Sequence, residues 1–254
     1  MREVREERHQ EAGDARASVR FRAERTEDPG AIRRNSMITA ADYLSQGKVT
    51  PERIQDGVIV EDPSISRAST HYSVYDDDMD VDEPQVVGRL IYMPDKDLDN
   101  LRIPTQDMIP SKLDELRKVP PEQIAEIASV VKKKGVSTIA VLSMYREMFR
   151  DAIDRDITHL LCAIDPRLHG FYEEIFGWYM EPLSEGAVDY PGFRGGQYLY
   201  VIRPHEGYDE YLKRKRNASI KARLVNRCVK EYFINRLDLY REKEHALNPK
   251  HVAK

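Results

Sequence analysis

A glutamate early in an apolar strand is the first candidate for chemistry. Glu126 belongs to the segment AEIASVVK, whose neighbouring Ile127 and Val130 predict a buried strand. Because an isolated buried charge is costly, this carboxylate should face a cleft or pair with a cation. In a cleft it could take the proton of an attacking amine, whose reference pKa is about 8. The alternative is an ion pair with Arg89 on the neighbouring strand.

The turn after this strand has the features of a phosphate site. Its glycine can adopt positive φ, and the helix that follows offers unpaired N–H groups and a partial positive charge. An equally good interpretation is a solvated turn with its serine as an ordinary N-cap. The candidate cofactor-binding residues of the turn KKKGVS are Lys132, Lys133, Lys134, Gly135, Val136 and Ser137.

A tyrosine follows a second apolar strand. The segment ITHLLCAIDPRLHGFYEEIFGW predicts a strand over Thr158–Ile164 and a helix from about residue 167 to 176. A strand that returns as a helix presents residues at its carboxyl end, so Tyr172 is a candidate functional residue. The alternative is a core position in an aromatic cluster with Phe171 and Phe176.

The elements that must position these residues predict an α/β fold. SVRFRAER alternates as a half-buried strand, and the helix after it ends at Gly47. THYSVYD and VVGRLIYMP predict an antiparallel hairpin, and GWYMEPL and GGQYLYVIR predict the last two strands. The expected architecture is an α/β sandwich on a mixed sheet, with parallel pairing at each strand-helix-strand unit.

Length and composition predict one domain with two extensions. The 254 residues, 41% of them hydrophobic, suffice for one sizeable core. We expect a flexible charged arm over residues 1–17, the α/β domain over 18–204 and a basic helical C-terminal extension over 205–254. No apolar run approaches the roughly 20 residues of a membrane span, so a cytoplasmic location is predicted.

Cysteine usage and charge limit the chemistry further. Cys162 and Cys228 have no ligand spacing and are expected to be buried thiols, and no metal site is predicted. The formal net charge of −4 combines an acidic run, YDDDMDVDEP, with a basic stretch, YLKRKRNASIKARLVNRCVK. The basic stretch could meet an acidic protein, nucleic acid or anionic lipid.

The order of the elements and several local sequence motifs resemble those of the Gcn5-related N-acetyltransferase (GNAT) superfamily. HGFYEEIFGW resembles that superfamily's Phe-Tyr-x-x-x-Gly-Phe ending, with one extra residue and Trp178 in place of Phe. VVGRLIYMP, AEIASVV, DITHLLCAIDPRL and VDYPGFRGGQYLYVI resemble the branch of acyl-homoserine lactone synthases and long-chain N-acyl amino acid synthases. The similarity covers roughly residues 18 to 203.

The resemblance implies a three-layer sandwich with a partly splayed sheet and an N-acyltransferase activity. An acyl group, fatty in this branch, would move from the pantetheine thioester of acyl carrier protein or coenzyme A to the amine of an amino acid. Glu126 would be the base, Arg89 would bind the acceptor's carboxylate, and Tyr172 would protonate the leaving thiolate. A backbone N–H between Ser129 and Val131 would stabilise the oxyanion.

Two departures from the family pattern keep other functions open. Ser129 stands where the branch has Arg, which removes one charge, and KKKGVS is a degenerate form of the superfamily's phosphate loop. The alternatives are a catalytically silent GNAT-fold binding protein that uses the basic tail, and an acetyltransferase acting on a nucleic-acid-linked substrate. The expected partner is acyl carrier protein, whose acidic surface would match the lysine turn and the tail. Nucleic acid is not expected, and the tail could also contact a membrane.

Overall fold

A computed structural model of the chain describes residues 20–79, 83–92, 103–176, 180–190 and 192–203. The predicted arm and C-terminal extension therefore lie outside the described residues, as do Trp178 and the side chains of Phe171 and Phe176. The strands are β1 Phe21–Thr26, β2 Ile54–Gln55, β3 Val58–Ile59, β4 Ser69–Asp76, β5 Val86–Tyr92, β6 Ile124–Lys132, β7 His159–Ile164, β8 Met180–Pro182 and β9 Tyr198–Ile202. The helices are α1 Pro29–Ser45, α2 Pro63–Arg67, α3 Pro110–Leu116, α4 Thr138–Asp154 and α5 Pro166–Phe176.

Seven strands form one mixed sheet in the order β1-β4-β5-β6-β7-β9-β8. The predicted hairpin is confirmed, because β4 and β5 pair antiparallel from Ser69↔Ile91 to Val74↔Val86. The strand-helix-strand unit β6-α4-β7 pairs parallel, as expected for a crossover connection. The predicted mixed α/β sheet is therefore present.

The sheet lies between two helical layers. Neighbouring residues of β5 point to opposite faces, so Gly88 faces one layer, and Val87 with its β4 partner Ser73 faces the other. A Cβ on Gly88 would approach Met144 and Met148 of α4, at 2.7 and 2.8 Å from their side chains. On the other face α1 lies against β4, where the Asn35 amide donates to the Ser73 hydroxyl at 2.9 Å. The protein is thus a three-layer sandwich with α4 and α1 on opposite faces.

The sheet opens between β6 and β7. These strands pair only from Ile124↔His159 to Ile127↔Cys162, although β6 continues for five more residues, to Lys132. Beyond the last pair β6 also carries a bulge: Val87 pairs with Val131 and Arg89 with Ala128, so Gly88 lies opposite two residues. One of those two, Ser129, has φ of 57°, an uncommon value for a residue with a side chain.

The segment between α1 and β4 contains elements that sequence patterns did not predict. A two-stranded hairpin of β2 and β3 is followed by the short helix α2, whose N-terminus the Asp62 carboxylate caps by accepting from the Ser64 N–H at 2.8 Å. This segment covers the α1 side of the sheet and forms one wall of the cavity described below. Within the described part of the chain, every helix is too short or too polar to cross a membrane.

Candidate active site

A cavity of about 860 Å³ lies on the α1 side of the sheet. Its walls come from α1, from the segment containing β2, β3 and α2, and from β4, β5 and the bulge of β6. The face that α1 turns inward is partly polar, because its buried residues include Asn35 and Thr39. A helix facing a solvent-accessible cavity has less need for the apolar stripe that a core helix requires.

Arg89 is on the sheet wall of this cavity and forms a bidentate ion pair with Glu61. Its Nη1 and Nη2 donate to the two carboxylate oxygens at 2.6 Å each. The Arg89 residue is 8% exposed, and its Nε has no hydrogen-bond partner among the described residues. Glu61 also accepts from the Ser66 hydroxyl at 3.0 Å. A carboxylate of the protein itself therefore occupies the end of the guanidinium group.

His71 lies directly across the β4–β5 ladder from Arg89. Burial lowers the pKa of this histidine to about 4, and the positive charge of Arg89 lowers it in the same direction. His71 is therefore neutral at physiological pH. The Arg89–Glu61 pair and a neutral imidazole together form a region without net charge on the cavity wall.

Glu126 is 2% exposed and accepts a hydrogen bond from the Tyr190 hydroxyl at 2.7 Å. The alternative of an ion pair with Arg89 is not formed, since Arg89 pairs with Glu61. Glu126, Tyr190, Phe193 and Ser129 line a small recess of about 50 Å³ on the same side of the sheet. The carboxylate is thus held in a fixed position beside the bulge, as a positioned base requires.

A second space of about 80 Å³ lies where β6 and β7 separate. Tyr172 of α5 lines it, and its hydroxyl lies 2.6 Å from that of Tyr145 on α4. Burial raises the pKa of Tyr172 to about 12 and that of the Cys162 thiol to about 12, so both groups keep their protons at neutral pH. Lys48 and Asp165 also line this cleft and form an ion pair at 3.0 Å.

Ser129 connects these spaces. It lines the large cavity, the recess of Glu126 and the cleft between β6 and β7. The bulge leaves the backbone around it outside the regular ladder, and the positive φ turns its peptide groups away from strand geometry. The side chain of Val131, by contrast, is buried, and this residue pairs with Val87.

The lysine turn is largely occupied with its own contacts. Lys132 Nζ donates to the Val136 carbonyl at 2.8 Å, and Lys133 Nζ pairs with Glu83 at 2.6 Å. Gly135 has φ of 85°, and the Ser137 hydroxyl caps α4 by accepting from the Ile139 N–H at 3.2 Å. Lys134 is exposed. The predicted N-cap and positive φ are present, while phosphate binding at this turn stays a prediction.

The structure brings together four of the eleven predicted site residues, namely Arg89, Glu126, Ser129 and Tyr172. Ser129 is shared by the spaces that these residues line, whereas the lysine turn begins three residues after Ser129, at the end of β6, and does not line them. Sequence reasoning missed Tyr190, Glu61 and His71. Tyr190 belongs to the motif Asp-Tyr-Pro-Gly in the segment VDYPGFRGGQYLYVI, but that motif alone does not predict the hydrogen-bond partner of the tyrosine. Among the described residues no cluster of three or more acidic, His or Cys side chains could hold a metal ion.

Several solved structures are similar to this chain. FeeM, an N-acyl amino acid synthase from uncultured soil microbes, superposes with a TM-score of 0.57 at 14% identity, covering 78% of this chain and 99% of FeeM. The AHL synthase LasI gives a TM-score of 0.49 at 14% identity, with 72% and 88% covered. The CoA-dependent acyl-homoserine lactone synthase BjaI gives 0.48 at 13% identity, with 78% and 90% covered. The FeeM superposition confirms the predicted GNAT-like fold.

The sequence itself assigns the family. The search of curated proteins found no match. The model of the N-acyl amino acid synthase FeeM family matches residues 36–200, which is more than half of the chain and includes every candidate site residue. The predicted branch of the GNAT superfamily is thereby confirmed. This chain belongs to the FeeM family of N-acyl amino acid synthases, and it is an N-acyltransferase that moves an acyl group from a pantetheine thioester to an amine.

Proposed function

We propose that this enzyme transfers a fatty acyl group from acyl carrier protein to the amine of an amino acid, by direct attack in a ternary complex. The observation that carries the proposal is the position of Ser129, which lines the large cavity, the recess of Glu126 and the cleft of Tyr172. The acceptor would enter from the cavity and the thioester from the cleft. The two reactants would meet at the bulge, where proximity supplies much of the rate.

On the acceptor side, Glu126 is the base. The amine nitrogen attacks the thioester carbon and gives up a proton, which Glu126 takes directly or through a water molecule. The Tyr190 hydroxyl holds the carboxylate oxygen at 2.7 Å and so fixes its orientation. Arg89, on the wall of the adjoining cavity, binds the carboxylate of the acceptor.

On the donor side, backbone N–H groups between Ser129 and Val131 stabilise the oxyanion that forms when the amine attacks. One such donor contributes about 3 kcal/mol to lowering a barrier of this kind. The carbon–sulfur bond then breaks, and Tyr172 stabilises the departing thiolate by donating a hydrogen bond, while the proton that Glu126 took from the amine passes to the sulfur through solvent. The raised pKa of Tyr172, about 12, keeps its hydroxyl protonated throughout, and Tyr145 holds it in place.

The choice of acyl carrier protein over coenzyme A depends on charge. Lys132, Lys133 and Lys134 follow the bulge on the same strand and turn, next to the opening of the sheet. An acidic carrier surface would be attracted to these lysines and to the basic tail. Two of the three lysines already bind groups of the protein, so their role is long-range attraction more than direct phosphate contact.

Intact mass spectrometry tests the reaction. Acyl carrier protein loaded with acyl chains of graded length is incubated with the enzyme and a pool of amino acids. We expect the carrier to lose its acyl group and a matching N-acyl amino acid to form. The Glu126→Gln variant should form this product at least about 100-fold more slowly, and Glu122→Gln, an exposed change four residues earlier, should not slow its formation. An unchanged carrier with consumption of acyl-coenzyme A would reject the carrier as the donor.

A further inference from the structure

The ion pair of Arg89 and Glu61 has the geometry of a carboxylate site that is already filled. Two parallel N–H···O contacts at 2.6 Å are the arrangement in which a guanidinium group recognises a free carboxylate. The carboxylate comes from the connection between β3 and α2, which is not part of the seven-stranded sheet. Arg89, in contrast, is fixed in the central strand β5.

Among the described residues, Arg33, Arg53 and Arg67 also line this cavity, but the residue directly opposite Arg89 in the sheet adds no positive charge. His71, the cross-strand neighbour of Arg89, is neutral at physiological pH. Two carboxylates sharing one guanidinium group in a buried position would repel each other. An incoming carboxylate must therefore replace that of Glu61 or bind elsewhere.

Replacement is favoured by the difference in exposure between the two partners. The side chain of Glu61 is 19% exposed and borders the open cavity, whereas that of Arg89 is 10% exposed. A released Glu61 can regain hydration in the cavity, but a released Arg89 would remain buried without a counter-charge. The exchange of one carboxylate for another keeps the charge of the site unchanged.

We propose that Glu61 is a specificity residue that occupies the position of the acceptor's carboxylate and leaves it when an amino acid binds. This inference rests on the proposed function, because it takes Arg89 as the acceptor's carboxylate site. Glu61 then acts as an internal competitor. It excludes acceptors whose carboxylate binds Arg89 too weakly to displace that of Glu61, and it keeps Arg89 neutralised between turnovers.

Competition between Glu61 and the acceptor's carboxylate for Arg89 should raise the KM for the acceptor. If the ion pair is open in about one molecule in ten, the apparent KM for a carboxylate acceptor is about tenfold higher than it would be without Glu61. An acceptor without a carboxylate does not use this position and gains nothing from the removal of Glu61. The ratio of the KM for an amino acid to the KM for its carboxamide therefore measures how strongly Glu61 competes for Arg89.

The first experiment uses the full chain and its Glu61→Gln variant. KM and kcat are measured for the amino acid that the carrier assay identifies and for its carboxamide. We expect KM for the amino acid to fall about tenfold in the variant. The kcat value and the carboxamide KM should change less than threefold. Glu52→Gln, a carboxylate of the same segment that does not line the cavity, is the matched control. Equal KM values in wild type and Glu61→Gln would overturn the proposal.

A second experiment requires no turnover. Removing the carboxylate with Glu61→Ala lowers the thermal midpoint, and sodium formate should restore it by filling the guanidinium site, while sodium chloride at the same ionic strength should not. The wild-type midpoint should not respond to formate in this way. No formate response in Glu61→Ala would overturn the exchange. A formate response in an enzyme that acylates no amine would preserve the exchangeable site and reject the proposed reaction.

Discussion

The two sides of β6 differ in their electrostatics. On the side of the cleft, Tyr145 and Cys162 are buried and Tyr172 is half-buried, all three are uncharged, and the charges of Lys48 and Asp165 neutralise each other. On the side of the cavity, a buried carboxylate, an arginine ion pair and a histidine with a lowered pKa lie close to the same bulge. Each side therefore has one compensated ion pair, and the cavity side also has the carboxylate of Glu126; we call the cavity side the charged side and the cleft side the neutral side.

The difference corresponds to what the two substrates require. A thioester is neutral and apolar, so the pantetheine side needs shape, hydrogen-bond donors and exclusion of water. An amino acid carries both charges and must lose a proton before it can attack, so its side needs a base and a counter-ion for the carboxylate. If this division is correct, changes on the charged side should affect rate and stability more than changes on the neutral side.

The largest effect is expected for Glu126→Gln. Loss of a general base lowers rates about 100- to 10,000-fold, so kcat for acyl transfer should fall within this range. Stopped assays of N-acyl product at saturating donor and acceptor measure it. A reduction of less than tenfold, with the variant folded as judged by circular dichroism, would remove Glu126 from the chemistry and leave it a structural partner of Tyr190.

The second effect concerns stability on the charged side. The folded-state pKa of His71, about 4, is below the unfolded value of 6.5, so its neutral form is favoured by folding. This stabilisation is complete above pH 6.5 and is lost as the pH falls toward 4. Between pH 7 and pH 5 the free energy of unfolding should fall by about 2 kcal/mol through this residue. Urea titrations should show this extra loss in wild type and not in His71→Gln, in which the carboxylate contributions are the same.

Periodicity predicted the sheet well because its strands obey local rules. The alternation in β1, the apolar runs of β6 and β7, the hairpin pattern of β4 and β5 and the final segment of β9 together identified every long strand of the described sheet. The strand-helix-strand order predicted the parallel pair. The short hairpin β2–β3 was not predicted, since two-residue strands leave no periodic signal. Glu61 belongs to that segment, and it was missed for the same reason.

The site was predicted in its residue types and less well in its contacts. Glu126, Arg89 and Tyr172 were identified, but the hydrogen bond from Tyr190 and the ion pair with Glu61 join residues 64 and 28 positions apart. Such pairings depend on how loops cross the sheet, which no local pattern specifies. The bulge at Ser129 is of the same kind, because its positive φ follows from the register with β5.

A smaller effect is expected on the neutral side. Tyr172→Phe removes the hydroxyl that is proposed to donate a hydrogen bond to the thiolate, and Tyr145→Phe removes only the partner of that hydroxyl. Because a thiolate is a good leaving group at neutral pH, kcat in Tyr172→Phe should fall less than tenfold, and more than in Tyr145→Phe. Single-turnover rates measure both variants. Equal losses in the two would show that the pair acts only through packing.

The smallest effect should come from the lysine turn. Lys134 is exposed, whereas Lys133 forms an ion pair with Glu83. The Lys134→Gln variant therefore removes a charge without breaking an ion pair that the structure records. Exposed charges act mainly on encounter, so KM for acylated carrier protein should rise about two- to fivefold at low ionic strength and return to the wild-type value at about 0.5 M salt. Lys118→Gln, an exposed lysine after α3, is the control for general charge. A rise in KM that persists at high salt would show a direct contact with the phosphopantetheine. The turn would then belong to the binding site itself, and the neutral side would include a charged phosphate site at its end.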